Sequence, residues 1–310
     1  MVGAEGLLRI GELSRRTGVS VDVIRAWERR YGLLRPGRTD GGFRVYSVDD
    51  IARLRLMRHY LAEGIPTAQA AALVHRVQTA ALDANPGVPP GDVRKALRLL
   101  RDSLESFNDA PADRMLERLL GVFSPAAVLR DVVLPYLREL GKRWECGVAT
   151  VAQEHFASGF LEAWMLTMAR GWSRSGRHRA VLACIPGDRH TLGLLAFGLT
   201  LRDIGWRITY LGADAPIPAV DRAADAVRSD VVVLAAALPT GFAAVAGDVR
   251  ALSRAHPLAL GGAGVTADPE WSQSRTLPSD PVVAAHALTA DVQRRERRGD
   301  DGRGASSTAG

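Results

Sequence analysis

Along the first 170 positions, apolar residues recur three and four apart, the period of a helix with one buried face. Ile10–Thr17 reads as a short amphipathic helix with Ile10 and Leu13 inward. Val21–Tyr31 reads as a second, with Val23, Ile24 and Trp27 on one side. In the turn between them, Gly18 suits the left-handed end of the first helix and Ser20 the cap of the next. Gly41 and Gly42, flanked by Arg38 and Arg44, predict a hairpin tip. A third helix is expected from Ser47, with Asp49 and Asp50 placed where the helix dipole favours acids, and a fourth after Pro66. After a Pro/Gly-rich linker, Asp83–Gly91, helices are expected over Val93–Leu104, Ala112–Phe123, Pro125–Trp144 and Val148–Arg170. Short connections make these four a bundle.

The period changes after Trp172–His178. Buried strands are expected at Ala180–Ile185, Arg207–Leu211, Asp230–Ala236 and Leu258–Gly261, alternating with helices over Thr191–Ile204, Pro218–Val227 and Gly247–Ala255. Such alternation means a parallel sheet of the flavodoxin-like or Rossmann type, whose ligands sit beyond the carboxyl ends of the strands. Pro186–Gly193, Gly212–Asp214, Leu238–Gly241 and Gly261–Gly264 are the expected floor of that site. The fold class is therefore multidomain α plus α/β. A winged helix-turn-helix occupies 1–82, a four-helix bundle 92–171 and a parallel-sheet domain 179–290. Residues 291–310, with no apolar pattern from Arg294 onward, are expected to be disordered.

Composition narrows the class. Of the 310 residues 47% are hydrophobic and 24% charged, too apolar for wholesale disorder. The longest apolar run, Val231–Leu238, falls far short of the roughly 18–20 residues of a membrane span. Glu5 and Arg9 interrupt any signal-peptide core, and the two cysteines, Cys146 and Cys184, lie too far apart for a CxxC motif. A cytoplasmic protein without a disulfide scaffold or zinc site is expected. The net charge of +6 matters because of its placement: arginines crowd residues 7–75, which points to a polyanionic partner.

In that basic segment a helix, a glycine turn and a second helix with a basic outer face are followed by a basic hairpin. The runs RIGELSRRTGVSVDVIRAWERRYGLL, RPGRTDGGFRVYS and VDDIARLRLMRHYLAEGI resemble the MerR family of transcription regulators. The resemblance implies that Arg25 and Tyr31 lie on or near a DNA face and that Arg38, Arg44 and Tyr46 are wing contacts. Trp27 is expected to pack in the core.

The first strand of the sheet domain leads into Asp188-Arg189-His190-Thr191-Leu192-Gly193. A histidine at the mouth of a parallel sheet can offer one ring nitrogen to a metal while a carboxylate fixes the proton on the other. DxHxxG followed by Gly261-Gly262 is similar to the cobalamin-binding domain of cobalamin-dependent mutases and methionine synthase. That resemblance implies His190 as the lower ligand of cobalt, with Asp188, Gly193, Gly261 and Gly262 serving the cofactor and its nucleotide tail. Where those domains often carry Ser or Thr beside the buried base, this chain has Ala235-Ala236-Ala237.

Trp144 and Glu154-His155 complete a W-x9-EH pattern in the bundle. With the MerR-like segment before it and the DxHxxG sheet after it, the chain resembles the CarH/LitR-type photoreceptor regulators over nearly its full length. The resemblance implies that Trp144, Glu154 and His155 line the upper face of adenosylcobalamin. It also implies a repressor, not an enzyme, that binds operator DNA as a dimer or tetramer in the dark and is released by light. One departure stands out: the residue after the tryptophan is Glu145 in place of the family's histidine. A light-independent corrinoid-sensing regulator, or a corrinoid methyl-carrier protein, are the alternatives.

Overall fold

The computed structural model describes residues 8–34, 36–38, 42–46, 48–62, 64–83, 87–173, 176–265 and 274–306. Helices α1 (Ile10–Thr17) and α2 (Val21–Tyr31) are joined by the turn the sequence specifies. Gly18 is left-handed at φ 64°, and the Ser20 hydroxyl accepts the Val23 amide. Leu13, Ile24 and Trp27 enter the core, whereas Val23, expected inward, is 38% exposed because it lies a third of a turn off the buried stripe. The wing is a two-strand antiparallel ribbon, β1 (Gly37–Arg38) and β2 (Arg44–Val45). Its expected tip, Gly41-Gly42, lies only partly within the described residues. α3 (Val48–Ala62) and α4 (Thr67–Asp83) follow, and Leu54, Met57, Tyr60 and Val74 close this first core.

The bundle comprises α5 (Pro90–Glu105), α6 (Ala110–Leu120), a third helix in three parts and α9 (Val151–Met168). That third helix starts as α7 (Pro125–Val128), loosens into a π-helical turn at Leu129–Val133 and continues as α8 (Leu134–Glu145). The chain direction survives the π turn, so the single helix expected over Pro125–Trp144 is continuous but underwound at its centre. Thr150 and Gln153 form a reciprocal capping box at the start of α9.

The third unit is a parallel sheet of β3 (His178–Cys184), β4 (Trp206–Gly212), β5 (Val231–Ala235), β6 (Leu258–Gly261) and β7 (Arg275–Thr276), in the order β4-β3-β5-β6-β7. This is the flavodoxin-like order, so the crevice opens between the carboxyl ends of β3 and β5, where the strand order reverses. Apolar runs such as Val231–Leu234, buried throughout, show that both faces of the sheet are covered. α10 (Leu192–Asp203) lies on one face, while α11 (Ile217–Val227), α12 (Pro239–Ala244) and α13 (Ala246–Ala255) connect the later strands. β7 is an addition to the four strands read from the sequence; with two residues it is too short to show a period.

The expected disorder over 291–310 is overturned. A helix, α14 (Pro281–Ser306), runs through most of it, and 307–310 lie outside the described residues. Its hold is tertiary. Ala284, Ala285 and Leu288 pack against the sheet unit, while Val283, Ala287 and Ala290 pack against the first core. Buried Asp291 pairs with Arg275 Nε at 2.9 Å and with Arg294, whose guanidinium sits 4.6 Å from the ring centre of Tyr60. Charged residues that read as a solvated tail are instead the clasp between two domains.

Candidate functional site

β3 ends at Cys184 and the chain turns through Pro186 to His190 before α10 begins. Asp188 organises this turn. Its Oδ1 accepts the His190 backbone amide at 2.8 Å and faces His190 Nδ1 at 3.0 Å, while Oδ2 accepts the Ala237 amide at 2.6 Å. Burial alone raises the Asp188 carboxyl, but the hydrogen bonds from Ala237 and His190 outweigh it and hold the group below its ordinary value. An ionised carboxylate can only accept, so His190 Nδ1 is the donor to Asp188, and in the neutral ring the lone pair is then on Nε2. The His190 side chain is 68% exposed, so that nitrogen is open to a ligand. The turn is braced by Asp214, left-handed at φ 48°, whose carboxylate accepts the Gly187 amide at 2.7 Å and whose amide donates to the Asp188 carbonyl at 2.8 Å.

Two cavities meet at this histidine. The larger, about 650 Å³, lies between bundle and sheet, lined by Leu137, Arg138 and Gly141 of α8, Glu154, His155, Ser158 and Glu162 of α9, and the His190 turn. The smaller, about 220 Å³, runs from His190 along α10 past Ala235, Ala236 and Ala237 to Gly261 and Gly262. His190, Gly193, Ser279 and Pro281 belong to both. A Cβ built on Gly193 meets no atom within 4 Å, and Gly193 lines both cavities, so a side chain there would grow toward the space where they join. At Gly262, φ 94°, a Cβ would lie 2.2 Å from the Ala236 carbonyl oxygen, so β5 and β6 close this edge backbone to backbone.

The sequence-derived cofactor residues thus converge, with one exception. Asp188, His190, Gly193, Gly261 and Gly262 surround the junction, and Glu154 and His155 face it from above. His155 Nδ1 lies 2.9 Å from the Val151 carbonyl and 3.0 Å from Glu154 Oε2. Trp144 is 48% exposed and sits one turn beyond Gly141, outside both linings. Asp214 falls in the expected floor of the site; two contributors carried no sequence signal, the Ser279–Pro281 lead into α14 and Glu162. Glu162 Oε1 accepts the buried Thr191 hydroxyl at 2.5 Å and ties the bundle to the residue after His190. Cys184 lies beneath, its thiol pushed up to about 12 by burial and by the charges of Asp188 and Glu162, so it stays protonated.

On the first domain, Arg25 projects from α2 exposed, and Arg44 is half exposed and pairs with Glu28 at 3.0 Å. Tyr31 is half buried, and its carbonyl lies 2.9 Å from His75 Nε2. The Arg38 side chain lies outside the described residues. Tyr46, read as a wing contact, is fully buried: its hydroxyl donates to Glu28 at 3.1 Å and its backbone pairs with Leu8. It shares Glu28 with Arg44 and so fixes the wing against α2. Arg55 is held below the ordinary guanidinium value by burial and by Arg16 and Arg58, a concentration of positive charge beside α1.

This geometry agrees with the comparisons. Residues 8–76 match the MerR HTH family regulatory protein model, and residues 96–167 and 178–292 each match a B12 binding domain. The chain is 36% identical over 238 residues to the HTH-type transcriptional repressor CarH of Myxococcus xanthus, covering 74% of this chain and 79% of that protein. It is 35% identical over 266 residues to the repressor CarA of the same organism, covering 83% and 87%. The chain belongs to the CarH/CarA family of HTH-type transcriptional repressors. Its bundle and sheet also share their fold with the monomethylamine corrinoid protein of Methanosarcina barkeri. The TM-score is 0.50 at 19% identity, over 63% of this chain and 95% of that one. In this CarH/CarA chain the His190 junction therefore lies inside the segment that matches a B12 binding domain, and the Glu154-His155 wall lies inside the other.

Proposed function

We propose that this chain is a cobalamin-dependent repressor that holds adenosylcobalamin between bundle and sheet, binds double-stranded operator DNA as a homo-oligomer in the dark and leaves it on illumination. The observation that carries the reading is His190, its Nδ1 held by Asp188 and its ring lying where a wide upper cavity meets a narrow lower one. The donor set fits a corrinoid: His190 as cobalt ligand, Asp188 fixing its tautomer, Gly193 leaving the junction clear and Gly261–Gly262 bordering the slot for a nucleotide tail. When bound, adenosylcobalamin supplies a cobalt–carbon bond that light cleaves. Glu154, His155 and Ser158 line the space above His190, and the adjoining exposed Trp144, Val148 and Val151 form an apolar rim suited to contact with another protomer. Arg25, Arg38 and Arg44 serve DNA, with phosphate contacts setting register and several linked domains raising effective concentration on repeated sites. This mode of action belongs to the cytoplasm and involves no turnover.

A second reading, a corrinoid-responsive repressor indifferent to light, is favoured by Glu145, which is exposed and puts a carboxylate where the photoreceptor pattern has imidazole. Size-exclusion chromatography of adenosylcobalamin-loaded protein, in the dark and after green light, separates the two. A large dark species that dissociates on illumination and releases operator DNA is expected, with His190→Ala losing the cofactor. Bound cobalamin with unchanged size and DNA affinity after light selects the second reading, and absence of bound cobalamin overturns both.

A further inference from the structure

The smaller cavity has an unusual chemistry for a slot that would receive a heterocyclic base. Apart from His190 and Ser279, both at the junction with the upper cavity, every side chain lining it is apolar or absent. Leu194 and Phe197 of α10, Val233 and Ala235 of β5, Leu277 and Ala284 form its walls. Along β5 the backbone is already paired. The Ala235 carbonyl accepts the Ile185 amide at 3.1 Å, and the Ala236 amide donates to Gly261 at 3.1 Å. The Ala236 carbonyl accepts Gly264 at 2.9 Å, and the Ala237 amide is taken by Asp188 at 2.6 Å. The Ala236 and Ala237 amides beside β5 are thus already engaged within the protein, and the Ala235 and Ala236 carbonyls each already accept one hydrogen bond.

We infer that this slot discriminates among corrinoids by their lower base, accepting the dimethylbenzimidazole of cobalamin and rejecting a purine, with Ala235 and Ala237 as specificity-determining residues. The inference rests on the corrinoid reading above and deepens it. A dimethylbenzimidazole released from cobalt brings one ring nitrogen and two methyl groups that gain from apolar walls. Adenine replaces those methyls with further ring nitrogens and an amino group. Each of these that enters the slot gives up water and finds no polar side chain along its walls, which costs roughly tenfold in affinity per stranded group. An apolar pocket rejects a polar analogue in this way without any clash.

The test is a dark titration of apoprotein with the adenosyl forms of cobalamin, of the adenine-based cobamide and of cobinamide, which has no nucleotide tail, followed by absorbance and calorimetry. Cobalamin is expected to bind at least tenfold more tightly than either of the others. Ala235→Ser, which adds one hydroxyl to the wall, should narrow the gap between cobalamin and the adenine cobamide at least threefold while leaving cobinamide affinity unchanged. That last measurement reports whether the variant is folded. A gap below tenfold between the two complete cobamides, cobinamide bound as tightly as cobalamin, or an unaltered gap in Ala235→Ser overturns the inference. Failure of all three corrinoids to bind would instead overturn the corrinoid reading itself.

Discussion

The Thr191 hydroxyl donates to Glu162 Oε1 across 2.5 Å, joining the last helix of the bundle to the residue that follows His190. Thr191 is buried and Glu162 half buried, so this is a charge-assisted bond with restricted access to water. Thr191→Val should destabilise the apoprotein by about 1–2 kcal/mol in urea unfolding, whereas Thr191→Ser, which keeps the donor, should stay within about 0.5 kcal/mol of the parent. Equal stability of the Val and Ser variants would show that the bond does not hold the bundle down.

Two glycines of the site should respond in opposite senses. Gly262→Ala forces a Cβ against the Ala236 carbonyl in a left-handed backbone and should cost on the order of 3 kcal/mol of stability. Gly193→Leu extends into open space within the first turn of α10 and should leave stability unchanged or raised by about 0.5 kcal/mol. Corrinoid binding should nevertheless disappear, because the side chain fills the junction of the two cavities. Thermal melts paired with a cobalamin titration check both variants.

His286 on α14 is buried, with no hydrogen-bond partner for Nε2 among the described residues. Burial, with Arg130 as a smaller contributor, lowers its pKa from 6.5, so the unfolded chain binds the proton more readily than the folded one. Its contribution to stability is therefore fully present above pH 6.5 and is lost as pH falls through that value toward the depressed folded one. Replacing it by Leu should flatten the stability profile below about pH 6.5, measured as urea midpoints from pH 5 to 8. A slope identical to the parent's would assign the acid sensitivity elsewhere.

Operator binding should weaken steeply with salt. Arg25→Ala is expected to reduce the slope of log K against log salt by about one, the signature of a lost phosphate contact. Arg44→Ala should cost more than its own contact, because Glu28 loses its guanidinium partner and the wing loses a tether to α2. Tyr46→Phe removes the second bond to Glu28 and should lower the stability of the first domain by about 1 kcal/mol. A salt slope unchanged in Arg25→Ala would move the DNA face away from α2.

The helix starts and the order of strands and helices were legible because local chemistry sets them: Ser20 at a cap, Gly18 in a left-handed turn, unbroken apolar runs in buried strands. The DxHxxG turn was legible for the same reason, since Asp188 reaches the His190 backbone and ring from two residues away. α14 was not. Its stretch from Arg294 onward has no apolar period, and what makes it helical is contact with two other domains, including Arg294 stacked on Tyr60 in α3.

Sequence by itself therefore determined three units, the basic face of the first and the Asp188–His190 turn of the last, all of which depend on residues close together along the chain. Tertiary structure alone decided that Tyr46 turns inward, that Trp144 stays outside the cavity, and that Glu162 and Pro281 stand beside His190. It also decided how the smaller cavity is walled, since Leu277 and Ala284 are brought to Ala235 only when β7 and α14 close the edge of the sheet. Contacts between residues far apart in sequence have no local period; they exist only once the apolar faces of separate elements are buried against one another.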